Sequence, residues 1–433
     1  METIRDRFSS VDSLPEPAFT RDGRRLVSFS TNNYLGLATS PRLIQAARYG
    51  LEKYGVGNCE SRLLGGDLSI YRDLEAKLAV LKGKDSAMLL ATGYPTNLGV
   101  LSTLPTSAVT ARFYGFRSKR RYRYAYFTDE LNHLSIREGI RMSGVEKAHY
   151  RHCDMNHLES QLKNSDATTK IIVTDGVFSQ DGDIAPLPEM LDLADRYDAM
   201  VYVDDAHGTG LLGPTGGGTT EYFGLESPRL ICMGTLSKAY GAIGGFIAAE
   251  SWVVEVLRLT CSAYGFTSTL PPDQAFAVSE AVEMVRDEPE RRERLWANQR
   301  YFIQAMDDLG FQLLSRATPI VPVWIGDETD CLQVSRRLDE AGFHVDAIVF
   351  PAVPKNRSRL RFSMNSNHTK QQIDRLAGVM SELGGSITAD VSDGRTSSSL
   401  PALSRQSRTK SCRNSCDRVR KTEHLECPTV VPG

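Results

Sequence analysis

Leu230-Ile231-Cys232-Met233-Gly234-Thr235-Leu236-Ser237-Lys238-Ala239-Tyr240-Gly241 carries an apolar run straight into a lysine set among small and hydroxyl residues. Upstream, the apolar run Ala199 to Val203 ends in Asp204-Asp205-Ala206-His207. Short apolar runs that end in polar residues predict strands of a largely parallel α/β sheet, whose ligands bind beyond the carboxyl ends of the strands. A cofactor aldehyde needs a lysine amine for its Schiff base, a carboxylate to keep a pyridine nitrogen protonated, and hydroxyls around a phosphate. Lys238, Asp204 and Thr235 supply these in order, which predicts a pyridoxal-phosphate (PLP) site. Lys238 by itself is a weak signal, because most lysines are solvated; its setting selects it.

Working outward, Ser86 to Ala91, Lys170 to Thr174, Arg229 to Met233 and Gly245 to Ala249 read as further strands. They alternate with amphipathic helices such as Tyr71 to Leu81 and Leu187 to Tyr197. Asp204, His207, Ser179 and Thr235 all fall just after such strands. Beyond residue 290 the pattern changes to a long charged helix, strands at Thr318 to Ile325 and Arg359 to Met364, and helices Cys331 to Ala341 and Lys370 to Leu383. The expected organisation is an N-terminal segment (1–45), a large domain (46–290), a smaller α+β domain (291–384) and a tail (385–433). The tail is rich in Ser, Thr, Arg and Pro and poor in large apolar residues, so it is expected to be disordered. Its Cys412, Cys416, His424 and Cys427 fit no standard zinc spacing, and no metal is expected.

The 433 residues are 41% hydrophobic and 24% charged, ordinary values for a soluble protein, and the net charge of −2 gives no reason to expect a nucleic-acid partner. Met1 to Phe19 lacks the basic start and apolar run of a signal peptide, and no stretch predicts a membrane span. Scattered cysteines do not form a disulfide framework. A cytoplasmic location is expected.

Several segments together resemble the α-oxoamine synthase family of PLP enzymes: Thr31-Asn32-Asn33-Tyr34-Leu35-Gly36-Leu37, Tyr54-Gly55-Val56-Gly57 leading to Ser61-Arg62-Leu63, Leu74-Glu75, Asn132-His133-Leu134-Ser135, Asp181-Gly182-Asp183, Asp204-Asp205-Ala206-His207 and the Lys238 run. The match covers roughly residues 25 to 383. It implies the fold type I transferase architecture and a decarboxylative condensation of a small amino acid with an acyl thioester, on coenzyme A or an acyl-carrier protein, giving an α-amino ketone and carbon dioxide. By this resemblance Lys238 binds the cofactor and then removes the α-proton. Asp204 pairs with the pyridinium nitrogen, although an Asp after a strand also caps a turn and both roles are compatible. His207 bonds the phenolic oxygen and His133 stacks on the ring. Ser179 lies against the cofactor, and Thr92, Gly93, Tyr94 and Thr235 take the phosphate. Thr267 or Ser268 would reach the neighbouring subunit's phosphate, implying a homodimer with shared sites. Arg361, assisted by Asn32, would bind the amino acid's carboxylate; Arg359 shares its strand face, so one of the two could be a solvated strand charge.

Some features depart from that pattern. Tyr71 stands where many members carry histidine, and Gln180 where methionine is frequent. Residues 105–126 form a basic aromatic insert (Arg112, Phe113, Tyr114, Phe116, Arg117, Lys119, Arg120, Arg121, Tyr122, Arg123, Tyr124, Tyr126) that could dock a carrier protein or the phosphates of coenzyme A. Gly208, Gly210, Gly213 and Gly216 to Gly218 read as a mobile loop. An aminotransferase of the same fold and a non-catalytic partner subunit are the rival readings.

Overall fold

The computed structural model describes residues 10–107, 115 and 122–392, with the side chains of the last helix only as far as Gly384. The chain divides into two units, Met1–Ile387 and Thr388–Gly433, and the site and its supporting cores lie in the first. Its strands, in chain order, are β1 (Ala18–Arg21), β2 (Arg24–Ser28), β3 (Ser86–Leu90), β4 (Tyr124–Asp129), β5 (Glu146–Tyr150), β6 (Thr169–Asp175), β7 (Ala199–Asp204), β8 (Leu230–Thr235), β9 (Gly245–Ala249), β10 (Ile320–Gly326), β11 (Phe343–His344), β12 (Asp346–Ile348) and β13 (Ser358–Ser363). Among the described residues a seven-stranded sheet runs in the order β3-β9-β8-β7-β6-β4-β5. Pairing is parallel from β8 through β7, β6 and β4 to β5, and β9 is antiparallel to both β8 and β3.

The sheet is buried on both faces, and alternate residues of one strand serve opposite cores. Tyr126, Ile171, Val173, Tyr202, Ile231 and Met233 face one core. Ala125, Phe127, Ile172, Val201, Val203, Leu230 and Cys232 face the other. This two-residue period explains why the central strands read as unbroken apolar runs. Helix Leu187–Arg196 starts on a proline and buries Leu187, Met190, Leu193 and Ala194 along one stripe.

A third cluster runs from Val27 through Tyr34 and Phe302 to Leu383. It joins residues at both ends of the first unit. The parallel pairing of β11 with β2 does the same. The antiparallel sheet β10-β13-β12 puts Arg361 opposite Pro322 on one side and Asp346 on the other.

Two expectations are corrected, and the end of the basic aromatic insert is placed. The last helix continues to Ser392, past residue 385 where the tail was placed; Cys412, Cys416, His424 and Cys427 lie outside the described residues. Most of the basic aromatic insert also lies outside them, and its end belongs to the central sheet. Tyr124 and Tyr126 belong to β4, Tyr126 is buried and donates to the Leu101 carbonyl at 2.5 Å, and Arg123 pairs with Asp166. The glycine loop, read as mobile, is pinned in the interior. Lys82, fully buried, donates from Nζ to Asp205 Oδ2 (2.6 Å), Thr209 Oγ1 (2.7 Å) and the Gly217 carbonyl (2.7 Å). Gly218 has φ +100°, and a Cβ there would sit 1.7 Å from Asp205 Oδ2, so no other residue fits.

Candidate active site

The registers level the sheet's polar ends: Asp175 faces Asp204, and Asp204 faces Met233 two residues before Thr235. A cavity of about 290 Å³ opens at these ends, near the lower size of small-molecule sites. Lys238, His207, Asp204, His133, Ser179, Thr235, Thr92, Gly93 and Tyr94 all line it. Asn32, Arg361, Thr267 and Ser268 are not in its wall. Arg361 approaches through the backbone, donating from Nε to the Ser179 carbonyl at 2.6 Å, and its Nη2 lies 3.4 Å from Asn32 Oδ1. Thr267 and Ser268 are exposed.

Lys238 Nζ lies 2.8 Å from His207 Nε2, and His207 Nδ1 lies 2.8 Å from the Tyr34 hydroxyl. Tyr34 in turn donates to Asn32 Oδ1 at 3.3 Å. A hydrogen-bonded chain therefore connects the lysine amine to the arginine. Burial pushes the Lys238 amine down to about 8, against the opposing pull of Asp204 and Asp175. Burial, reinforced by Lys238, Arg361 and His133, holds His207 well below the usual imidazole range, so it is neutral and shares a hydrogen bond with the Lys238 amine at Nε2.

Asp204 is anchored by Asn97 Nδ2 at 2.6 Å and the Ala206 amide at 3.1 Å. Asn97 also donates to Ser135 Oγ at 2.8 Å and accepts from the buried Tyr202 hydroxyl at 2.7 Å. Asp175 accepts the His133 amide at 3.0 Å, and burial beside Asp204 pushes its carboxyl well above the usual range. Burial also lowers His133, whose ring meets that of Tyr94 edge-on at 6.1 Å.

The donor set fits pyridoxal phosphate. A lysine amine and a carboxylate share one cavity. Thr92 precedes the helix Gly93–Thr103 without spending its side chain on a cap, which leaves a helix N-terminus and a hydroxyl for an anion. A Cβ on Gly93 would come within 3.1 Å of Thr235 Oγ1, so any side chain there would crowd the threonine hydroxyl.

Asn97, Ser135, Asp175, Ser237 and Tyr34 were not singled out from the sequence. Asp175 carried the same signal as Asp204, an acid closing an apolar run, and Tyr34 and Ser135 lay inside quoted segments. Asn97 gave none beyond its place one helical turn after Gly93. Other quoted residues are structural. Arg62, Glu75 and Arg258 form a buried ion network in which Glu75 also accepts the Leu89 amide at 2.7 Å. Tyr71 is a core residue donating to the Leu270 carbonyl at 2.9 Å. Arg359, far from being a solvated charge, is buried and paired with Asp181.

The family model for aminotransferases of class I and II matches residues 24–380. An 8-amino-7-oxononanoate synthase of Alkaliphilus oremlandii is 41% identical over 365 residues, spanning 84% of this chain and 89% of its own. The chain belongs to the α-oxoamine synthase family. It is a PLP-dependent C-acyltransferase that condenses a small amino acid with an acyl thioester and releases carbon dioxide. Among solved structures of this family, a serine palmitoyltransferase variant from S. paucimobilis with PLP and myriocin bound superposes with a TM-score of 0.81. It is 31% identical and the match covers 88% of this chain and 94% of that one. An 8-amino-7-oxononanoate synthase from Francisella tularensis matches with a TM-score of 0.70 at 25% identity, covering 84% and 99%.

Proposed function

We propose that this α-oxoamine synthase joins alanine to a pimeloyl thioester to make 8-amino-7-oxononanoate, acting in the cytoplasm as a homodimer. The observation that carries the reading is the set of relatives named for that product, at 38–41% identity over most of their length. The product's own carbon count identifies the substrates. An amine on carbon 8 and a ketone on carbon 7 of a nine-carbon acid separate into a CH₃–CH(NH₂) unit, which is alanine without its carboxyl, and a seven-carbon diacid acyl group.

PLP, when bound, supplies an electron sink for the negative charge left on the α-carbon. The residues around it then have distinct jobs. Lys238, neutral above about pH 8, holds the cofactor and accepts the α-proton at Nζ. Asp204, fixed by Asn97, keeps a proton on the ring nitrogen. Thr92, Gly93, Tyr94 and Thr235 take the phosphate, with Ser179 against the ring. His133 would lie over the ring, and His207 would hold the phenolic oxygen. Arg361 and Asn32 would hold the substrate carboxylate and so orient the amino acid for loss of its α-proton. Thr267 and Ser268, exposed beside the 81%-exposed Phe266, would serve the partner subunit's phosphate. No helix of the described residues is long and apolar enough to cross a membrane.

The test is a matrix of alanine, glycine and serine against pimeloyl, palmitoyl, succinyl and acetyl thioesters, counting carbon dioxide and free thiol. Equal yields of both with alanine and pimeloyl thioester are expected. Keto acid formed without thioester would make the protein an aminotransferase, and silence across the matrix a non-catalytic subunit.

A further inference from the structure

Outside the cavity wall, His152 is unusually placed for a side chain with no part in the chemistry. Its Nδ1 lies 3.1 Å from Asp129 Oδ1 and its Nε2 lies 2.9 Å from Asp183 Oδ2, so each ring nitrogen faces a carboxylate. Both nitrogens can donate only when the ring is an imidazolium. Burial opposes that charge, but the hydrogen bonds to Asp129 and Asp183 prevail and the ring is pushed up to about 12. The Cys153 thiol lies nearby, 3.7 Å from Nδ1, and the Cys153 amide donates to Asp129 Oδ2 at 2.9 Å. With both nitrogens engaged, the group is a charged clamp rather than a cation cage.

The two carboxylates belong to different parts of the site. Asp129 closes β4 and accepts the Leu131 amide at 2.9 Å, at the start of the turn that carries His133. Asp183 closes the loop Phe178 to Asp183. That loop rests on His152 a second time, because the Phe178 ring stands edge-on to the imidazole at 4.5 Å. The other Asp183 oxygen, Oδ1, is buried without a partner, so this carboxylate is held through Oδ2, chiefly by His152 at 2.9 Å with the Cys153 thiol more distant at 3.9 Å. The same loop presents the Ser179 carbonyl to Arg361 Nε and the Asp181 carboxylate to Arg359.

We propose that His152 is a positioning residue. As an imidazolium it locks the Phe178–Asp183 loop to β4, and the loop aims Arg361 at the substrate carboxylate. This rests on the reading of Arg361 as the carboxylate-binding group. A loop freed from the clamp would let Arg361 swing, weakening amino-acid binding without touching the thioester.

The test uses the cofactor-loaded enzyme and three variants: His152→Gln, which cannot donate to both acids, Asp183→Asn, which keeps shape but removes one charge, and Arg361→Lys. A KM for the amino acid raised about tenfold in His152→Gln and Asp183→Asn is expected. The KM for the thioester should stay within twofold, and weak binding of the corresponding amino-acid amide, which lacks the carboxylate, should be unchanged. The double variant should be no worse than His152→Gln alone. An unchanged amino-acid KM in either folded single variant, or equal losses for amino acid and amide, would overturn the proposal. Should His152→Gln fail to fold, Asp183→Asn decides alone. If Arg361→Lys itself leaves the amino-acid KM unchanged, the reading of Arg361 fails instead.

Discussion

At the scale of single residues, the site turns on the charge state of one amine. Lys238 adds to an aldehyde only when neutral, and its amine titrates at about 8 instead of above 10. Uptake of PLP by apoprotein, followed by absorbance, is therefore expected to accelerate as pH rises through about 8 and level off above it. A rate independent of pH between 6 and 10 would contradict this, and Lys238→Ala should show no covalent uptake at any pH. Asn97, among the residues that sequence reasoning missed, supports the carboxylate of the site directly. Its 2.6 Å hydrogen bond to Asp204 is buried. Losing a hydrogen bond of this kind costs about 1.5–3 kcal/mol. Asn97→Ala should thus bind PLP about 10- to 100-fold more weakly in a fluorescence titration. The lysine, its acid and its histidines were legible because each closes an apolar run or sits in a named segment. Asn97 was not, because helix Gly93–Thr103 gives its polar residues no distinguishing pattern until Asp204 is seen beside them.

At the scale of elements, buried charge fixes what local pattern leaves loose. The loop after Asp205 is held by Lys82, from the end of helix Ser69–Leu81. Removing one partner of a fully buried pair strands the other charge, at a cost of about 3–5 kcal/mol. Lys82→Met should lose that much in urea unfolding, and the double variant with Asp205→Asn should lose less than the single. His368 gives a pH signature for the region around β13. Its Nε2 donates to the Ser28 carbonyl at 2.8 Å, its Nδ1 accepts the Asn365 amide at 3.1 Å, and its ring stacks on Phe29 at 4.1 Å. Burial lowers it from 6.5 to about 4. Above pH 6.5 it is neutral in both states and contributes no pH dependence. Between 6.5 and about 4 the unfolded chain gains a proton that the folded chain refuses, so stability falls as pH falls, by about 3 kcal/mol at most. His368→Gln should flatten that part of the pH–stability curve. The central strands were legible because burial on both faces makes them apolar throughout. Edge strand β5 (Glu-Lys-Ala-His-Tyr) and the two-residue β11 were not, because their partners rather than their own composition make them strands.

At the scale of the whole molecule, the expected homodimer makes a mixing experiment decisive. Lys238→Ala inactivates a subunit's own site, whereas a double Thr267→Ala, Ser268→Ala change would weaken its neighbour's. Equal mixtures exchanged at low denaturant should recover about a quarter of wild-type activity, since half the dimers are hybrids with one intact site in two. Recovery absent in a mixture shown to exchange would mean unshared sites. The sequence by itself determined the largely parallel α/β class, five of the seven strands of the central sheet, the cofactor and the lysine, acid and histidines of the cavity. Those follow from two-residue and helical periodicity and from side-chain chemistry, which are local. Only the tertiary structure decided that Asn97 supports Asp204, that Tyr34 links His207 to Asn32, that Lys82 pins the glycine loop, and that Arg359 is a buried ion pair. Each of these joins residues far apart in the chain, where the energy of burying a polar group depends on the partner that folding brings to it.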